Sequence, residues 1–305
     1  MDSKVDRSPL AEGLKRKILF ISGKGGVGKT CVSLALARAL SENHAKKKIL
    51  WVTFEDPATP LGVLKQTRDN LWELNCESSV AFEEYIELKL GIPALAKVFT
   101  QNKLMKYLAK AAPGIHELVL LGKVWYERSH YDHVIVDMPS TGYGLAMFQS
   151  TRNFSQLFQG GPLHNDAEDM LKSFKNPSEC AQIIISLPEE MPLQESLELD
   201  QFLLKLFPNN PPFFLVNRVF PHLAADDPER MEQLGTPPTW MSPIPKDGED
   251  YAFRRSILEK HNLRLLSDAN ISWSELEFIA PDAERTQESI VHGITHEILQ
   301  RGYLR

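Results

Sequence analysis

Cysteine is scarce in this sequence: Cys31, Cys76 and Cys180 are three among 305 residues, far apart and with no C-x-x-C pair. An odd, sparse set of this kind excludes a disulfide framework, carries no zinc or iron–sulfur signature, and fits a reducing compartment. Long apolar runs are missing too. Nothing approaches the roughly 20 residues of a membrane-spanning helix. The opening from Met1 to Pro9 is polar, so the expectation is neither a secretory leader nor direct membrane insertion. Nor is there an excess of basic charge. Lys and Arg total 34 against 40 Asp and Glu, a formal net charge of −6, which argues against a nucleic-acid-coating surface and gives no reason to expect DNA or RNA as a partner. A soluble, cytoplasmic protein is expected.

What is present is ordinary globular material. Hydrophobic residues at 43% and charged residues at 24% sit near the averages for folded domains. The length suits one large α/β domain with a helical elaboration, or two domains of common size. One stretch organises the rest: Gly23-Lys24-Gly25-Gly26-Val27-Gly28-Lys29-Thr30, preceded by the apolar run Ile18–Ile21 and followed by an alanine- and leucine-rich run from Val32 to Leu40. This is strand, loop, helix. Four glycines let the loop turn its backbone N–H groups inward, where they and the helix N-terminus hold a polyphosphate. The pattern is the full G-x-x-x-x-G-K-[ST] phosphate loop, in which Lys29 reaches the β- and γ-phosphates and the Thr30 hydroxyl ligates Mg²⁺. The nucleotide-binding set is therefore Gly23, Lys24, Gly25, Gly26, Val27, Gly28, Lys29, Thr30 and the adjoining Cys31.

Further along, Ile49–Phe54 reads as a buried strand with Glu55-Asp56-Pro57 at its carboxyl end, the edge where an open α/β sheet carries its chemistry. Asp56 is either a turn-former before proline or a reactive-site carboxylate. From Leu61 to His130 the spacing of apolar residues predicts helices, broken at Gly91, Pro93 and Pro113-Gly114. That is about seventy residues, far more than a crossover needs, so a helical subdomain is expected over about 61–130, continued over 146–178. Leu118, Leu121 and Trp125 are core residues or the floor of a groove. Tyr131–Asp137 predicts a strand ending in an acid, where a carboxylate reaches Mg²⁺, giving Thr30 and Asp137 as the metal residues. Ala181–Leu187 and Pro212–Val216 predict strands, and Pro192–Phe207 a helix. Asn217, closing the second of those strands, either presents its amide to a purine edge or closes a turn. Phe220–Asp250 predicts an extended loop, Tyr251 to about Ser267 a helix, Leu276–Pro281 a last strand, and Glu284–Leu304 a helix packed on the sheet.

With Lys24 as an extra lysine at its start, the loop G-K-G-G-V-G-K-T resembles the deviant Walker A signature of dimeric ATPases that include the arsenite pump-driving, tail-anchored-protein targeting, MinD/ParA and nitrogenase iron-protein families. Asp56-Pro57-Ala58 resembles switch I of the arsenite and tail-anchored group, although Thr59-Pro60 stands where that group continues with His and then Asn or Ser. Asp137 to Leu145 resembles its switch II, D-T-A-P-T-G-H-T-L, at Asp137, Thr141, Gly142 and Leu145. Val216-Asn217 matches its adenine-reading pair. The resemblance implies a doubly wound, mostly parallel α/β sheet with an inserted helical subdomain, in a single domain over 1–305. It implies ATP and Mg²⁺ as cofactors and hydrolysis with Asp56 orienting water, Lys29 on the phosphates and Lys24 acting across a dimer. Gly142 is then a hinge, and Asn217 and Pro281 line the adenine. The implied partners are a second copy or a paralogous chain, and an unidentified client or membrane-associated protein. Two other readings stand beside it: a MinD/ParA-like nucleotide-switched positioning module, and a weakly hydrolysing scaffold. The three cysteines either converge on arsenite or are simply packed.

Overall fold

A computed structural model describes residues 9–57, 59–90, 114–157, 162–220, 248–279 and 286–304. Eight strands form one sheet in the order β3-β4-β2-β5-β1-β6-β7-β8. They span Ile18–Ser22 (β1), Ile49–Phe54 (β2), Leu64–Arg68 (β3), Leu71–Cys76 (β4), His133–Asp137 (β5), Cys180–Ser186 (β6), Phe213–Val219 (β7) and Trp273–Glu277 (β8). All neighbouring pairs run parallel except β3 with β4. β1, β5 and β6 are buried along their whole length, as the apolar runs require of strands covered on both faces.

The two faces divide the side chains by the two-residue period of a strand. Ile18 and Phe20 enter one core with Val134 and Val136, whereas Leu19 and Ile21 enter the other with Ile135. On the first face Phe20 meets Phe148 and Phe174 edge to face, with ring centres 5.1 and 5.0 Å apart. On the second face the phosphate-loop helix Lys29–Asn43 packs against the closing helix Gln287–Gln300, which buries Val291, Ile294 and Ile298. Arg38 joins these two helices through Glu288, both of its terminal guanidinium nitrogens donating to the carboxylate, at 2.5 and 2.9 Å. The closing helix lies on the sheet as expected.

The helical stretch expected from Leu61 begins later, at Ser78. Residues Leu64–Arg68 and Leu71–Cys76 instead form a hairpin on the sheet edge, with β4 parallel to β2 from Ile49↔Leu71 to Phe54↔Cys76. The deciding signals are the Asp69-Asn70 turn and the burial of Leu71, Leu74, Asn75 and Cys76 against β2. Asn70 anchors the turn by donating to the carbonyls of Ser41, His44 and Lys47. Helices then run over Ser78–Leu90, Ile115–Glu127, Thr141–Leu157 and Pro162–Lys175, packed successively on one another. The breaks at Gly91, Pro93, Pro113 and Gly160-Gly161 lie outside the described residues, as does most of the loop expected over 220–250. The last strand is also shifted. It runs Trp273–Glu277 rather than Leu276–Pro281, because Ser274 and Leu276 alternate inward while the apolar Phe278 is exposed. Among the described residues no helix is long and apolar enough to cross a membrane.

Candidate phosphate-binding site

β1 hands the chain to the loop at Ser22, and the helix begins at Lys29, so the loop sits at the carboxyl edge between β5 and β6. Two glycines there have no substitute. Gly23 has φ 147°, and a Cβ added to it would lie 2.3 Å from the carbonyl oxygen of Ile185 on β6. Gly28 has φ 92°, and its Cβ would lie 2.7 Å from the side-chain nitrogen of Asn217. Gly28 is also the residue preceding the helix and gives it no side-chain cap, leaving the first-turn N–H groups available to an anion. Gly28→Ala is expected to cost about 1–2 kcal/mol of stability. It should also weaken ADP binding at least about ten-fold, a loss that titration calorimetry reads directly.

The functional side chains converge from three strand ends. Lys29 Nζ donates to the Lys24 carbonyl at 3.0 Å, drawing the loop around itself, and burial lowers its pKa against the raising effect of Asp137. Thr30 Oγ1 donates to Asp137 Oδ2 at 2.7 Å. Asp137, at the end of β5, is buried, and its Oδ1 has no hydrogen-bond partner among the described residues. Burial pushes this carboxyl up to about 6, against the pull of the Thr30 hydrogen bond, the Lys29 charge and the Ser33 hydroxyl, with a small further push from the Asp56 carboxylate. A hydroxyl beside a buried carboxylate with one orphaned oxygen suits a hard, oxygen-preferring cation such as Mg²⁺. No cluster of three or more His, Cys, Asp or Glu side chains stands ready to hold a metal among the described residues, so phosphate oxygens and water would complete the coordination.

The raised Asp137 carboxyl has a consequence for the ligand-free protein. A folded value above the unfolded one gives stability that is full below the ordinary value of 3.8 and is lost as pH rises through about 6. The wild type is expected to lose about 1–3 kcal/mol between about pH 4 and pH 7 that Asp137→Asn does not lose. Denaturant unfolding of both proteins at the two pH values checks this.

Asp56 follows Glu55, which adopts a left-handed conformation (φ 49°) at the end of β2. Glu55 in turn reaches the start of the Ser78–Leu90 helix, where its Oε1 accepts from the Ser78 hydroxyl at 2.9 Å. Lys24 is turned aside: its Nζ lies 2.6 Å from Glu195 Oε1 on the Glu190–Leu206 helix, with both side chains about one-third exposed. Asn217 is buried and underpins the loop, donating to the Val27 carbonyl at 2.9 Å and accepting from the Arg218 N–H. Gly142 lies in the first turn of a helix, and an added Cβ there would meet nothing within 4 Å. Pro281 lies outside the described residues. Cys76 and Cys180 belong to one core face and Cys31 packs against the other, so the three thiols do not converge.

Thr30 thus pairs with Asp137, and the charges of Lys29 and Asp56 both act on that carboxyl. Glu195, Arg218 and Asn75 escaped notice as site residues. Arg218 is exposed with φ 60°, its guanidinium 3.9 Å from where a Gly28 Cβ would be, and its charge acts on Cys31. Its place directly after Asn217 at a strand end was the available signal. Glu195 had none, being 171 residues from Lys24.

The family model of the anion-transporting ATPases matches residues 16–163, from the first strand through the Thr141–Leu157 helix that follows Asp137. ATPase BagA of Mycobacterium tuberculosis is 27% identical over 202 residues, covering 60% of this chain and 59% of the relative. The putative arsenical pump-driving ATPase 2 of Aquifex aeolicus is 27% identical over 256 residues, covering 69% and 83%. ATPase GET3 of Lachancea thermotolerans is 25% identical over 245 residues, covering 64% and 70%. The chain spans less than two thirds of the length of the mycobacterial relative. With the phosphate loop, the paired Thr30 and Asp137 and the mostly parallel sheet in place, the chain has a family-level match to the anion-transporting ATPases of the deviant Walker A P-loop superfamily.

Proposed function

We propose that this chain binds ATP with Mg²⁺ and hydrolyses it, using the cycle to open and close a dimer that acts on a client or partner protein. The observation that carries the reading is the Thr30–Asp137 pair with its orphaned Oδ1, set beside the Lys29 ammonium at the mouth of the loop. In this reading Lys29 and the loop amides hold the phosphates. Thr30 and Asp137 hold Mg²⁺, which offsets charge on the phosphoryl oxygens when bound. Asp56 orients the attacking water, and Lys24 reaches a second subunit's phosphates. Phosphoryl transfer is governed by positioning and electrostatics, so no further general base is required. The dimer is formed with a second copy or a paralogous chain.

The relatives' printed names support ATPase activity. The three thiols lie on opposite faces of the sheet and do not form one shared thiol site. Phosphate release from ATP with Mg²⁺, measured alongside light-scattering mass in ADP and in ATP, tests the proposal. Release together with an ATP-dependent dimer supports it. A protein that binds ATP but stays monomeric and releases nothing would sink it as stated for the lone chain.

A further inference from the structure

Asn75, on β4, is an amide with almost no solvent contact, 4% exposed, and its side chain is spent on one short segment. The parallel ladder between β2 and β4 ends at Phe54↔Cys76, and one more backbone bond, from the Glu55 N–H to the Cys76 carbonyl at 2.9 Å, closes it. Beyond that point the Asn75 side chain takes over the part of a strand. Its Oδ1 accepts from the Asp56 N–H at 3.0 Å, and its Nδ2 donates to the Asp56 carbonyl at 2.8 Å. The same nitrogen lies 3.1 Å from the Thr59 carbonyl and 2.9 Å from Thr59 Oγ1. The Thr59 N–H in turn reaches back to the Asp56 carbonyl at 3.3 Å.

We infer that Asn75 is the positioning residue for Asp56, fixing both backbone polar groups of that residue so that its carboxylate is held at the carboxyl edge near Asp137. The inference rests on the reading in which Asp56 orients the attacking water. The amide is suited to the work because it alone among side chains of this size offers an acceptor and a two-proton donor in one plane, matching the N–H and C=O of a neighbouring strand. Thr59, which departs from the resembling families, is absorbed into the clamp through its hydroxyl. Without the amide, the Asp56 and Thr59 carbonyls lose the Asn75 donor, the Asp56 carbonyl keeping the longer bond from the Thr59 N–H, and the segment is freer to reorient. Misplacement of a catalytic group by about 1 Å costs on the order of 10²-fold in rate.

Four proteins decide it: wild type, Asn75→Leu, Asp56→Asn and the double variant, each measured for phosphate release, ATP affinity and amide exchange without nucleotide. Asn75→Leu is expected to lower kcat about 10- to 100-fold, with ATP affinity within about three-fold of wild type. The exchange of the Asp56 amide should rise at least about ten-fold while Val52 within β2 stays protected. In the Asp56→Asn background the same substitution should cost no further rate. An equal loss in both backgrounds, or an unchanged Asp56 amide, overturns the positioning role and leaves the function of Asp56 standing. Asp56→Asn turning over like wild type overturns both. Should Asn75→Leu fail to fold, Asn75→Asp decides: it keeps the acceptor and removes the donor, so kcat should again fall with affinity retained, and full activity would refute the clamp.

Discussion

Lys24→Ala is expected to reduce phosphate release by about 10³-fold or more while leaving ATP binding nearly intact. The magnitude is that of a cation supplied in trans to a transferring phosphoryl group. Retained binding follows from the geometry, because Lys29 holds the loop through the backbone carbonyl of residue 24, which alanine keeps. In the lone chain the Lys24 ammonium is occupied by Glu195 at 2.6 Å, so reaching a second subunit means leaving that partner. Both groups are about one-third exposed, and an ion pair so open to water is worth at most about 1 kcal/mol. The pair is therefore easily exchanged for a phosphate, and Glu195→Gln should favour the ATP-bound dimer by no more than about five-fold. Phosphate release and light scattering on the two variants measure both effects. A Lys24→Ala protein that turns over at the wild-type rate would remove the trans role.

The phosphate loop owes its shape to strands far from it in sequence. Gly23 lies against the β6 backbone at Ile185, and Gly28 lies against Asn217, whose side-chain amide also holds the Val27 carbonyl and which stands two residues before β7 ends at Val219. The glycines are thus required by close approach as much as by their positive φ. The same arrangement shows why Asn217 reads ambiguously in sequence. An amide near a strand end suits either a base edge or a loop carbonyl, and here its nitrogen donates to Val27.

Much of this was legible because the relevant signals are local. A glycine-rich loop between an apolar run and a helical run specifies strand, loop and helix without reference to the rest of the chain, and acids at the ends of β2 and β5 fall on the edge that a parallel sheet dictates. The edge hairpin was not legible in the same way. Leu71 to Cys76 mixes buried and half-buried positions, so its apolar spacing resembles a helix until β2 is present to pair with it. The last strand was misplaced for a related reason. Phe278 and Ile279 extend the apolar run, but Phe278 is exposed, and register there is set by Ser274 and Leu276 facing the core. Side-chain partnerships such as Lys24 with Glu195 or Asn75 with Asp56 have no sequence spacing at all, since only the packed sheet brings them together.

Asp56→Asn is expected to lower phosphate release by about 10²- to 10⁴-fold, the range for loss of a group that orients or accepts from a nucleophile. The substitution preserves shape. The hydrogen bonds that fix this residue to Asn75 use the Asp56 backbone, which asparagine leaves unchanged. Folding and nucleotide affinity should therefore stay close to wild type, and the loss should appear in kcat rather than in KM. A second effect runs in the opposite direction. The Asp56 charge is one of the causes that raise the Asp137 carboxyl, so removing it lets Asp137 ionise at lower pH and retain its cation ligand there. Mg²⁺-dependent ATP affinity in the variant should accordingly hold up better than in wild type as pH falls below about 6. Single-turnover hydrolysis and calorimetric titration across that range separate the two effects. A variant with normal kcat and normal pH dependence would assign Asp56 to the turn alone, whereas lost turnover with improved low-pH affinity ties the carboxylate to both the water and the metal.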